Sequence, residues 1–144
     1  VRSLHLIRYW VKANEAKGSK FGGMKSFVTY DIETDSTGKS VQRRFKHFDW
    51  LREQLMRIYP VVTIPPIPGK EMKLSGKFDQ DFVQQRTKGL QKFLDRIAVH
   101  PVLGVSPVVK HFLTAVEQKD WKIGKRDAEV QKVFTSEVSM PSGS

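Results

Sequence analysis

The sequence predicts an α+β fold in which a three-stranded antiparallel sheet packs against a helical subdomain, followed by a C-terminal helical extension. Three observations carry that prediction. Beyond Gly22 and Gly23, Val28, Tyr30 and Ile32 alternate with Thr29, Asp31 and Glu33, the period-two pattern of a half-buried strand. Asp35-Ser36-Thr37-Gly38 reads as a hairpin turn, because short polar side chains and glycine supply the local hydrogen bonds and positive φ that tight turns use; its return strand runs from about Lys39 to Phe45. From His47 to Tyr59, the residues Phe48, Leu51, Leu55 and Ile58 recur at helical spacing, so one apolar face is available to lie on the sheet.

The remaining elements follow from the same reasoning. Leu4 to Val11 is apolar and β-branched enough for a first strand, and the polar stretch Asn14 to Lys20 is expected to turn. Pro60 ends the first helix, since proline lacks the N–H and clashes with the preceding turn. Val61 to Ser75 reads as an irregular loop in which Pro65, Pro66 and Pro68 favour extended polyproline geometry, and a loop of that length is usually functional or disordered. Helical spacing resumes at Phe78 and continues to about Val99 through Phe82, Leu90, Phe93, Leu94 and Ile97, and Pro101 closes it. Ser106 and Pro107 open another helix, with proline at the first helical position and Val108, Phe112 and Leu113 on its apolar side. Residues 4–115 are read as one domain, 116–134 as a helical connector and 135–144 as an unstructured tail.

Composition narrows the function classes. A net charge of +10 points to a polyanionic partner, either nucleic acid or an anionic membrane surface, and charge alone does not choose between them. Hydrophobic residues make up 39% of the chain, with nine Phe and three Trp, enough for a packed core. The absence of cysteine excludes disulfide scaffolds and thiolate metal sites. No apolar run approaches the ~20 residues a spanning helix needs, and the start carries no signal-peptide pattern, so membrane contact is expected to be peripheral.

The chemistry in the sequence is anion recognition. Arg43, Arg44 and Phe45 end the third strand and lead directly into the helix. Arginine presents planar bidentate donors to phosphate, and an adjacent aromatic face packs against a sugar-like ring. Arg86 is the sharpest anomaly. At about 100° per residue it falls between Phe82 and Leu90, near the centre of the stripe completed by Phe93 and Ile97, where a lone charge is costly. Either an internal carboxylate, Asp79 or Asp49, pairs with it, or the stripe borders a cleft in which Arg86 meets an anionic ligand. Other signals are weak: His5, His47, His100 and His111 lack metal-ligand spacing, no Ser or Thr has a histidine and an acid arranged around it, and Asp79 with Asp81 reads as first-turn helix charge. Gly22-Gly23 lacks the sequel of a P-loop. No catalytic residue, metal or cofactor is therefore expected. Pro65 to Pro68 also satisfies a PxxP ligand pattern, but such patterns are common and a loop role is preferred.

Taken in order, the three strands, Arg43-Arg44-Phe45 before the first helix, the loop Pro65-Pro66-Ile67-Pro68-Gly69-Lys70 and the helix containing Phe82 to Leu90 resemble the PX (phox homology) domain over residues 4–115. More narrowly, Lys46-His47-Phe48-Asp49-Trp50-Leu51, His100-Pro101-Val102 and Asp120 to Arg126 are similar to the sorting nexins that join Src-homology, PX and BAR domains. The resemblance implies a non-enzymatic phosphoinositide-binding module of endocytosis or endosomal trafficking, cytoplasmic and peripheral on endosomal or plasma membrane. Residues 116–134 would begin the connector to a BAR domain through which the full-length protein dimerises.

The resemblance also implies roles. Arg44 matches the arginine that holds the inositol 3-phosphate, Phe45 the aromatic that packs on the inositol ring, Arg86 the arginine at the ring hydroxyls, and Lys70 the lysine at the 1-phosphate. Phe45 is often tyrosine in the family, which keeps the stacking face and removes a hydroxyl. The stretch from Lys70 to Phe78 is longer than in related sorting nexins, which makes Lys73 an alternative to Lys70. Met72 and Leu74 are expected either to enter the lipid interface or to pack the loop. The implied ligands are phosphatidylinositol 3-phosphate and phosphatidylinositol 4,5-bisphosphate on an anionic membrane. Two rivals stand beside this reading: a nucleic-acid-binding basic domain, disfavoured because no aromatics are laid out along a sheet face and no reading helix is evident, and a protein-interaction module with a vestigial lipid pocket.

Overall fold

Tyr30 and Ile32, the inward residues of the alternating strand, are each 1% exposed, and the architecture is built around them. The computed structural model describes residues 9–20, 23–34, 38–69 and 80–135, with the backbone alone at 9, 13–20 and 23–26. Its sheet is antiparallel in the order β1 (Tyr9–Lys20), β2 (Gly23–Thr34), β3 (Ser40–Arg43), and the helices α1 (Phe45–Ile58), α2 (Gln80–Val99), α3 (Pro107–Thr114) and α4 (Gln118–Val130) follow, with a 3-10 turn at Leu103–Val105. The predicted α+β class holds. Val11 lies opposite Ile32, and Ile32 opposite Val41, so apolar side chains stack across all three strands. At the edge of the sheet, the Val11 N–H donates to Gln91 Oε1 on α2 at 2.8 Å, which satisfies a donor that an edge strand would leave open.

The first strand departs from expectation. It begins at Tyr9, with Leu4 to Arg8 outside the described residues, and the segment 14–20, expected to turn, continues the ladder as far as Lys20 opposite Gly23. Alternation in a sequence reports side-chain burial, whereas ladder pairing uses main-chain groups that every residue but proline carries. A polar ribbon therefore pairs without an apolar signal. At the other end of β2, Gly38 adopts φ 69° and donates to the Thr34 carbonyl at 2.9 Å, the turn glycine the sequence called for.

The third strand stops at Arg43, earlier than expected, because Arg44 already turns the chain into the helix. Its φ of −95° and ψ of 165° make it the N-cap of α1, and its N–H donates to His47 Nδ1 at 2.8 Å, one half of a capping box. The helix thus starts two residues before the predicted boundary. Its four predicted core residues, Phe48, Leu51, Leu55 and Ile58, are each fully buried. Edge-on ring contacts from Phe48 to Tyr30 at 6.1 Å and to Phe112 at 5.0 Å join α1 to the sheet and to α3. Phe82, Leu90, Phe93, Leu94 and Ile97 are buried on α2 as its spacing predicts, while Phe78 and Asp79 lie outside the described residues. Ser106 caps α3, its Oγ accepting from the Val108 N–H and from the Tyr59 hydroxyl at 3.0 Å. Residues 61–69 are irregular, and Arg52 Nε holds this segment by donating to the Pro65 carbonyl at 2.8 Å; 70–75, the rest of the predicted loop, lies outside the described residues.

The last helix is packed onto the domain. Trp121 stacks on His111 of α3 with ring centres 4.8 Å apart, and Arg57 of α1 donates to the Ala128 and Gln131 carbonyls at the C-terminal end of α4. Beyond it, the Phe134 N–H reaches the Ile58 carbonyl at 2.7 Å. Gly124 is what allows this approach, since a Cβ there would lie 2.1 Å from His111 Nδ1. Alanine is the better helix former by about 1 kcal/mol. Gly124→Ala is nevertheless expected to lower stability by about 1–3 kcal/mol in urea unfolding, because the added methyl must displace the His111 ring stacked on Trp121 or shift α4 away from it. A gain in stability would show that α4 is not held against α3.

Candidate anion-binding site

The alternation of β3 sends the two adjacent arginines to opposite sides. Val41 and Arg43 are buried while Ser40 and Gln42 are exposed, so Arg43 points inward and the next residue, Arg44, points out. Arg43 does not meet ligand: its Nε donates to the Phe112 carbonyl at 2.9 Å, its Nη2 to the Ala115 carbonyl at 2.6 Å and its Nη1 to the Gln42 carbonyl, and its guanidinium lies 4.4 Å from the centre of the Trp121 ring. Burial lowers its pKa to about 10, which leaves it charged at neutral pH. The arginine pair that marks the motif in the sequence is thus one structural cation and one available cation.

Arg44 opens onto a cavity of about 150 Å³ lined by Phe27, Val28, Tyr30, Arg44, Phe45, Lys46, Phe82 and Arg86. Three of these residues are cationic and none is a carboxylate. The Arg44 guanidinium lies 4.5 Å from the Phe27 ring centre. That of Arg86 lies 3.8 Å from Phe45 and 4.6 Å from Phe82, and its buried Nε has no hydrogen-bond partner among the described residues. Of the two carboxylates considered as its mate, Asp79 lies outside the described residues and Asp49 does not line the cavity. Tyr30 closes the floor; burial raises its phenol above the ordinary value, and the neighbouring Arg86 charge opposes that rise. The first turn of α1, which carries Phe45 and Lys46, contains no acid, so the positive end of the helix dipole is uncompensated at the rim.

The structure therefore brings Arg44, Phe45 and Arg86 together, as the sequence reading requires. Lys70, Met72, Lys73 and Leu74 lie outside the described residues. Sequence reasoning misses Lys46, which directly follows Phe45 in the same motif, and Tyr30, which its alternation marks only as core and which no sequence signal places at the cavity. The histidines within the described residues are structural: His100 Nδ1 accepts from the Val102 and Leu103 N–H groups, His111 stacks on Trp121, and His47 caps α1. Among the described residues no group of three or more His, Cys, Asp or Glu is placed to hold a metal ion, and no helix is long and apolar enough to cross a membrane.

His47 borders the site electrostatically. Burial, then the charges of Arg43, Lys46, Arg44 and Lys125, depress its pKa from 6.5 to about 4. Its Nδ1 must be unprotonated to accept from the Arg44 amide, which agrees with that direction. The folded state thus binds this proton less readily than the unfolded chain does, so the stability it confers is complete above about pH 6.5 and is lost as pH falls toward 4. His47→Ala is expected to flatten the loss of melting temperature between pH 6.5 and 4; an unchanged slope would place that titration elsewhere.

Comparison with known proteins bears on the family and the fold. The sequence profile of the family described as "PX domain" matches residues 32–115. Sorting nexin lst-4 of Caenorhabditis elegans is 44% identical over 115 residues, covering 78% of this chain and 20% of its own length. Sorting nexin-18 of Mus musculus is 43% identical over 116 residues, with 78% and 19% covered. This chain spans about a fifth of the length of these relatives. Among solved structures, a designed CISK-PX domain superposes with a TM-score of 0.61 at 30% identity over 75% of this chain and 99% of that one. The SNX-BAR Mvp1 tetramer superposes at 0.67 with 25% identity over 90% of this chain and 38% of that one. With the three antiparallel strands, the helices behind them and the profile match over more than half of its residues, the chain belongs to the PX domain family.

Proposed function

We propose that this chain is a phosphoinositide-binding module that recruits a larger sorting-nexin-like protein to membranes, without catalysis. The observation that supports it most is the cavity itself: among the described residues, Arg44, Lys46 and Arg86 line it with no carboxylate, and the buried Nε of Arg86 has no hydrogen-bond partner. A buried donor without an acceptor costs free energy that an anionic ligand recovers. Arg44 holds the 3-phosphate of the inositol, Lys46 adds charge at the rim, and Phe45 with Arg86 stacked on it presents a flat face and donors to the ring and its hydroxyls. Lys70 or Lys73 meets the 1-phosphate. Phosphatidylinositol 3-phosphate and phosphatidylinositol 4,5-bisphosphate are the ligands to compare.

Surface lysine and arginine add about 1 kcal/mol each near anionic lipid, so head-group recognition and diffuse attraction act together. Residues 116–134 begin the connector to a BAR domain, a reading favoured by the likeness to an SNX-BAR assembly over 90% of the chain. A dimer formed through that domain would multiply the affinity of two modest pockets. On this reading the protein is cytoplasmic and peripheral on endosomal or plasma membrane.

Arg44→Gln is expected to abolish binding of soluble inositol phosphates while leaving the circular dichroism spectrum intact, since two charge-assisted hydrogen bonds of about 1.5–3 kcal/mol each are lost. Arg86→Ala is expected to cost the free protein only about 0.5–2 kcal/mol, the scale of its ring contacts, while head-group binding collapses. A large fall in melting temperature with binding retained would mean instead that Arg86 serves an internal ion pair. An oligonucleotide competing equally with inositol phosphate at matched salt would favour the nucleic-acid reading, and phosphoinositide-free liposomes sedimenting the protein equally well would leave the pocket without a role. Replacing Met72 and Leu74 by serine is expected to weaken liposome binding and spare the soluble head group, because only a bilayer offers apolar depth; equal losses for both ligands would assign these two residues to shaping the pocket.

A further inference from the structure

We propose that Trp121 of α4 is a positioning residue for Arg44, so that α4 completes the anion site from behind. The inference rests on the phosphoinositide reading of the pocket. It concerns residues beyond 115, where the family profile match ends.

Two contacts lead from the indole to Arg44. The first runs through the preceding residue. Arg43 places its guanidinium 4.4 Å from the Trp121 ring centre while donating to the Phe112 and Ala115 carbonyls, so its side chain is fixed between the end of α3 and the face of the indole. The second runs through the group that holds the Arg44 amide. That N–H donates to His47 Nδ1 at 2.8 Å, and the His47 ring meets Trp121 edge-on with centres 5.1 Å apart. Arg44 is the N-cap, where φ and ψ change from strand to helix, and those two angles set the direction in which its side chain leaves the backbone. One ring therefore supports both the residue before Arg44 and the acceptor that restrains Arg44 itself.

The indole is itself held. His111 stacks on it at 4.8 Å, Trp50 meets it at 5.4 Å, and the Trp50 Nε1–H donates to Glu129 one helical stretch further along α4. Removing the indole leaves the Arg43 carbonyl bonds in place but takes away the face under its charge and the stop behind His47. The cost appears where the two contacts converge, at the N-cap dihedrals and the aim of Arg44.

Coupling of this kind is reciprocal: if docked α4 favours the ligand, the ligand must favour docked α4. Titrating the folded protein with inositol 1,3-bisphosphate, Trp121→Ala is expected to weaken binding by about fivefold or more, and Trp121→Phe, which keeps a ring face, to restore most of it. Gly124→Ala, which lifts α4 with the indole intact, should weaken binding in the same direction. In the unaltered chain, saturating inositol 1,3-bisphosphate is expected to slow amide hydrogen exchange in α4 around Trp121. Loss of stability in Trp121→Ala with affinity unchanged, or exchange in α4 indifferent to the ligand, would overturn the inference while leaving the pocket intact. If the unaltered chain binds neither inositol 1,3-bisphosphate nor phosphoinositide liposomes, the phosphoinositide reading falls and this inference with it. The exchange measurement needs no variant, so it decides the matter even where Trp121→Ala fails to fold.

Discussion

Arg43 carries a full charge into the interior at 6% exposure, and much of the fold is arranged to make that tolerable. An isolated ion at such depth costs several kcal/mol after relaxation. No carboxylate appears among the partners the structure gives it; main-chain carbonyls and aromatic faces surround it instead. Two of those carbonyls, of Phe112 and Ala115, lie at the C-terminal end of α3, where helical geometry leaves acceptors without partners and the dipole is negative. The same side chain thus ties the end of β3 to the C-terminal end of α3 and to Trp121 of α4. Burial, and after it the charge of Arg43, also keeps the neighbouring His47 neutral.

The cations of the pocket are restrained by a different device. Arg44 lies over Phe27, and Arg86 over Phe45 and Phe82. A carboxylate would hold a guanidinium more firmly, but it would also compete with an incoming phosphate for the same N–H groups. An aromatic face takes the flat of the cation and leaves its edge, where the donors are, open. Ring contacts of about 0.5–2 kcal/mol are weaker than bidentate phosphate bonds, so they order these side chains without competing strongly with an anion. Preorganisation of this sort lowers the entropy cost that a long cationic side chain pays on binding.

Most of this was legible in the sequence where burial imposes a period. Val28, Tyr30 and Ile32 marked β2, Phe48, Leu51, Leu55 and Ile58 marked α1, and Arg86 stood out because it broke the period of α2. The polar half of β1 was misread because main-chain pairing leaves no trace in side-chain polarity. The helix start at Phe45 was missed because its cap is a histidine accepting from an arginine amide, outside the usual Ser, Thr, Asp and Asn signals. The sequence reading assigns the phosphate to Arg44 and leaves Arg43 without a role; strand alternation, which turns neighbours to opposite faces, accounts for Arg43 as the structural cation. Trp121 lies in the stretch from Asp120 to Arg126, yet nothing in sequence spacing connects it to Arg43, which lies 78 residues earlier along the chain.

The net charge of +10 suggested a polyanionic partner, but the fold shows that this charge is not a measure of ligand contacts. Arg43, Arg52 and Arg57 direct their N–H groups at main-chain carbonyls of Ala115, Pro65 and Ala128, each in a segment remote in sequence. A guanidinium suits that task because it offers five donors in a fixed plane and stays protonated when partly buried. Arg43 and Arg57 each bond two or more carbonyls in this way, a fixed-plane geometry that the rotating ammonium of lysine does not supply. The charges that remain around the cavity, Arg44, Lys46 and Arg86, are the ones whose interactions respond to an anion and to salt. The total charge and the charge of the site are separate quantities in this chain, and it is the second that argues for a small, highly charged head group over a long polyanion: cations gathered around about 150 Å³ fit a single ring with its phosphates, whereas a nucleic-acid backbone needs them spread along a track.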